Sequence, residues 1–112
     1  MLVFAAICIS IVIILGVYIL KTIIKEKRSP KPVVIIHGLF ALVVIFILSK
    51  LVYAGLDDTL VIAALALFIG AALGGLTMAF LSYKKKPIPK AFLIVHPLVG
   101  ISGFLVLLSY LL

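Results

Sequence analysis

The chain has a single cysteine, Cys8, no tryptophan, and only three acidic residues, Glu26, Asp57 and Asp58, among its 112 residues. Each shortage excludes a class of chemistry. One cysteine permits no intrachain disulfide, and two histidines with no cysteine or acid beside them leave a zinc site short of ligands. The three carboxylates fall in the polar connections, so no apolar segment carries the embedded acid that proton-coupled drug exchange uses. For the same reason no nucleophile, base and carboxylate set for hydrolysis can be assembled there. Without tryptophan, any interfacial belt falls to tyrosine: Tyr18 and Tyr83 at one level, Tyr53 and Tyr110 at the other. Polar alternation is missing too, which argues against a β-barrel.

What the chain does have is apolar surface. At 67% hydrophobic residues and a mean hydropathy of +1.54, a chain this short cannot hide its side chains in a water-soluble core. Four apolar runs, residues 2–24, 33–54, 60–82 and 91–112, each reach the roughly 20 residues a helix needs to cross a hydrocarbon layer. The reading is an all-α membrane protein, one transmembrane domain over residues 1–112 built as a four-helix bundle. Asp57, Asp58 and Thr59 are N-cap candidates for the third helix, Pro32 and Pro87–Pro89 mark the starts of the second and fourth, and Pro97 should kink the fourth. The opening Met1-Leu2-Val3-Phe4 carries no positive charge, so the first run reads as a retained helix rather than a cleaved signal.

Charge is as unevenly placed as it is scarce. Lys21, Lys25, Lys27, Arg28 and Lys31 surround Glu26 in the first connection, and Lys84, Lys85, Lys86 and Lys90 fill the third, whereas the second carries Asp57 and Asp58. The positive-inside rule places both basic connections in the cytoplasm and both termini outside, in the cytoplasmic membrane of a bacterium or archaeon. The net charge of +7 is thus a topology signal that also attracts anionic lipid headgroups, and no nucleic-acid partner is expected.

The chain is also written twice. Sliding residues 1–53 onto 60–112 without a gap matches Lys25 with Lys84, Lys27 with Lys86, Pro30 with Pro89, Lys31 with Lys90, Ile35 with Ile94, His37 with His96 and Leu39 with Leu98. Apolar composition cannot generate matches of lysine, proline and histidine. Two spans per copy give tandem parallel two-helix repeats about an axis along the membrane normal. Both histidines then share one depth, six residues or about 9 Å past their matched lysines, and face each other if helices two and four are diagonal partners.

Histidine in lipid is costly and marks a candidate site. Small residues share its helix face at i+4 and i+7: Gly100 and Gly103 from His96, Ala41 and Val44 from His37. Gly70, Ala71, Gly74 and Gly75 of helix three, with Gly16 matching Gly75, add room that serves either close helix packing or a ligand. Gly38 and Pro97 loosen the helix just after each histidine. Two facing imidazoles can hold a metal axially, and haem is the group that needs only two protein ligands. Lys31, Lys90 and Arg28 are placed to meet its propionates, although topology alone accounts for their charge.

His96-Pro97-Leu98 followed by Gly100 and Gly103, the partner His37-Gly38-Leu39, and the four spans together resemble the four-helix membrane cytochromes b. That resemblance implies one b-type haem between His37 and His96, with both axial positions filled, and electron transfer involving a quinone or a redox partner protein. A homo-oligomer or larger membrane complex would complete a path across the bilayer. The competing reading is a cofactor-free accessory subunit whose histidines hydrogen-bond between helices; a small proton- or ion-coupled transporter ranks below both.

Overall fold

The computed structural model describes residues 1–112 as four helices: α1 (Leu2–Ile24), α2 (Lys31–Tyr53), α3 (Thr59–Tyr83) and α4 (Lys90–Leu111). All four are long and apolar enough to cross a membrane. The body measures 43 × 23 × 22 Å, close to the roughly 40–45 Å of a bilayer with its headgroups.

The helix ends follow local chemistry. Asp58 caps α3, its Oδ1 accepting the Leu60 N–H at 2.9 Å. The second helix begins at Lys31, two residues before the apolar run that signals it, because Pro30 is extended and Pro32 sits in the first turn, where a missing N–H costs nothing. Pro89 takes the matching place before α4. The matched ends of α1 and α3 close alike. Glu26 and Lys85 take left-handed φ of 56° and 57°, and the next N–H, of Lys27 or Lys86, bonds back to Thr22 or Leu81 at 2.8 or 2.9 Å. These are Schellman closures made without glycine. The fourth helix continues unbroken through Pro97.

Helix α1 packs on α2 and α4, and α3 packs on the same two, leaving α2 and α4 diagonal. The core is confined to the half remote from the basic connections: Ala5, Cys8 and Ile9 of α1, Ile47 and Leu48 of α2, Val61, Ala64 and Phe68 of α3, and Leu107 of α4. Its floor is a ring of matched positions, Val12 with Ala71 and Val44 with Gly103, all buried. Between that floor and the basic connections no helical residue is buried. His37 and His96 lie in this looser half, each about 10 Å of helix rise from Val44 or Gly103.

Candidate functional site

The two histidines meet inside the bundle. Their ring centroids are 6.3 Å apart and their planes cross at 71°, a distance reached because they sit at one level on diagonal helices. Neither ring is in van der Waals contact with the other along a stacked face. Both are part-buried.

Each imidazole rests on a turn of the preceding helix at a glycine. A Cβ built on Gly16 would lie 3.1 Å from His37 Cε1, and one built on Gly75 would lie 3.1 Å from His96 Cε1. Normal carbon contacts are about 3.5–4.0 Å, so any larger residue must displace the ring. Gly74 flanks His96 at an ordinary 3.7 Å. The register that aligns the histidines aligns Gly16 with Gly75, so the signal for both seats was in the sequence. Their partner was not, because a spacing across two helices cannot be read from one.

Hydrogen bonding separates the rings. His37 Nδ1–H donates to the Val12 carbonyl at 2.9 Å. A carbonyl only accepts, so the proton sits on Nδ1 and the neutral ring keeps the Nε2 lone pair for a ligand. The matched acceptor for His96 is the Ala71 carbonyl. It lies near Nδ1 but outside hydrogen-bond geometry, leaving that nitrogen buried without a partner.

The remaining predicted site residues are distributed as follows. Gly103 is buried under Phe68, whose Cε1 is 2.8 Å from where a Cβ would stand, and Gly100 faces Ala71 at 4.0 Å. Both therefore serve the α3–α4 seam, and the room at Gly103 is filled by the Phe68 ring. Ala41 packs against the core from α2. Arg28, Lys31 and Lys90 are exposed at the basic end, one to three turns from the histidine level. Ser10, Thr77, Ser102 and Ser109 each donate to a carbonyl four residues back in their own helix, so these hydroxyls line no polar path.

Beside His96 the α3–α4 seam opens toward the lipid in a groove of about 320 Å³, walled by Gly70, Gly74, Thr77, Phe92 and Val99 among others. No third histidine, cysteine or acid joins the pair as a metal ligand. Comparison with models of known protein families, with curated proteins and with solved structures found no match to this chain.

Proposed function

We propose that the protein is a membrane electron carrier that holds one haem b between His37 and His96. The observation that carries this reading is the 6.3 Å separation of the two ring centroids. Two imidazoles sharing a metal through one nitrogen each, at about 2.0–2.1 Å per bond, have centroids roughly 6 Å apart. The donor set favours a macrocycle over a bare ion: two imidazoles alone leave a zinc or copper site incomplete, whereas a porphyrin brings four nitrogens and needs two axial ligands.

When bound, haem supplies a reversible one-electron couple. The chain's residues supply the rest. Val12 fixes the His37 ring and raises the basicity of Nε2 by accepting the hydrogen bond that Nδ1–H donates. Gly16 and Gly75 set how far each ring stands from its neighbouring helix. Arg28, Lys31 and Lys90 bring positive charge to the face where propionates would emerge, and the apolar helices exclude water, both of which tune the potential. In this reading residues 1–53 and 60–112 are tandem parallel repeats, the basic connections face the cytoplasm, and the electron is exchanged with a quinone or a partner protein. The Val12 bond by itself also fits the cofactor-free reading, in which His37 ties α2 to α1 and the outer faces dock on a larger complex. An absorption spectrum of protein purified from haem-replete cells separates them: a Soret band and a reducible α-band support the carrier, and colourless protein overturns it.

A further inference from the structure

At the basic end of α1 a pocket of about 220 Å³ is lined by Tyr18, Lys21, Thr22, Lys25 and Lys27. The first four recur at the three- and four-residue spacing of one helix face. The left-handed turn at Glu26 brings Lys27 back beside them, its N–H bonded to the Thr22 carbonyl at 2.8 Å. Hydroxyls hold this wall in place. Thr22 Oγ1 donates to the Ile19 carbonyl at 2.6 Å and so accepts from the Ser29 hydroxyl, which pins the connection against α1. Glu26, the one acid of the connection, is not among the lining residues. Lys21 and Lys25, four apart on the helix, repel one another, a cost that a bound anion removes. The C-terminal dipole of α1 opposes an anion with only about half an elementary charge, against three from the lysines.

The matched end of α3 keeps the loop charge but not the lining. Lys84 and Lys86 stand for Lys25 and Lys27, while Thr77, Phe80 and Leu81 replace Tyr18, Lys21 and Thr22, and Ile88 replaces Ser29. There Lys84 Nζ lies over the Phe80 ring, 5.7 Å from its centroid, within cation–π range. Lys85 in place of Glu26 makes that connection the more positive of the two, so diffuse attraction would favour the α3 end. We propose that Tyr18, Lys21, Lys25 and Lys27 bind the phosphate of an anionic phospholipid, with Thr22 and Ser29 as positioning residues. Tyr18 to Lys25 covers about 10 Å of helix rise, enough to run from the hydrocarbon edge through a headgroup layer. Ile14 and Val17, both exposed, lie four residues before Tyr18 and Lys21 and continue the same face into the apolar part of α1. That continuation gives the acyl chains a surface and favours a lipid over a free anion. The site shares no residue with the haem reading and does not depend on it.

The test is native mass spectrometry of the full-length protein in neutral detergent, titrated with phosphatidylglycerol, phosphatidylcholine or inorganic phosphate. One saturable phosphatidylglycerol adduct is expected, held more tightly than phosphatidylcholine and not displaced by inorganic phosphate at equal concentration. Lys21→Phe, which copies Phe80, should weaken it about fivefold. Thr22→Leu, which copies Leu81 and changes no charge, should weaken it about threefold by freeing Ser29, and it serves if Lys21→Phe fails to assemble. Lys84→Gln combined with Lys85→Gln removes two charges from the other connection and should leave the affinity unchanged. Absence of a saturable adduct overturns the proposal. So does a loss in the Lys84/Lys85 variant as large as in Lys21→Phe, or wild-type affinity in Thr22→Leu, since either marks attraction to loop charge alone. Displacement by inorganic phosphate at equal concentration overturns the lipid as the source of the phosphate.

Discussion

The two glycine seats give the most discriminating perturbation. Gly16→Ala and Gly75→Ala each place a methyl 3.1 Å from a histidine Cε1, a few tenths of an ångström inside normal contact, and overpacking of this kind costs about 1–3 kcal/mol. The gain in helix propensity from glycine to alanine, about 1 kcal/mol, is the same for both and drops out of the comparison. What remains is the response of the ring. His37 can yield only by straining its bond to Val12, worth about 0.5–1.5 kcal/mol net, whereas His96 has no such bond and has a groove beside it. Gly16→Ala should therefore exceed Gly75→Ala in cost by about 1 kcal/mol, or roughly fivefold in affinity. The assay is haemin titration of the haem-free protein, paired with its unfolding midpoint in denaturing detergent, which reads the same difference without cofactor. Gly74→Ala, at an ordinary 3.7 Å from His96, is the control and should be neutral or slightly stabilising. Equal costs at Gly16 and Gly75, or a larger one at Gly75, would refute the reasoning.

Three further outcomes are expected. Gly103→Ala drives a methyl to 2.8 Å from Phe68 and 3.3 Å from Leu67 and should destabilise the bundle by about 1–3 kcal/mol; Phe68→Leu in the same chain should recover part of that in detergent unfolding. Glu26→Gly and Lys85→Gly relieve left-handed strain at the matched helix ends; each should stabilise by about 1 kcal/mol, and the two effects should add because the connections are separate. In a Cys8→Ser background, Lys27→Cys and Lys86→Cys should react with a membrane-impermeant thiol reagent from one side and Asp57→Cys from the other; labelling of all three from one side would refute the two-hairpin topology.

The helices were legible because length and apolarity decide them: a run such as 60–82 has no alternative in lipid. Its N-terminus was legible from Asp58 as well, since an aspartate before an apolar run is a capping signal with a mechanism. Pro32 marked the start of α2 to within one residue of Lys31, because the first turn of a helix tolerates a proline. The meeting of His37 with His96 was expected from the sequence match of residues 1–53 with 60–112, and diagonal packing of α2 and α4 brings the rings together. What the sequence could not reveal is the inequality of the two sites. Val12 contributes a backbone carbonyl, a group every residue has, so nothing in its identity marks it. Gly103 shares a helix face with His96 by periodicity, yet Phe68, distant in sequence, fills the space beside it. The concentration of the core at one end also escaped, since the apolar pattern is nearly uniform along every helix and only packing separates the two halves.

The central claim is tested most directly by the reduced-minus-oxidised absorption spectrum of the full-length protein purified from haem-replete cells, recorded for wild type and for the His37→Ala/His96→Ala double variant. The account predicts a low-spin b-type spectrum at about one haem per chain that vanishes in the double variant. A colourless wild type, or a spectrum that survives loss of both imidazoles, would contradict it.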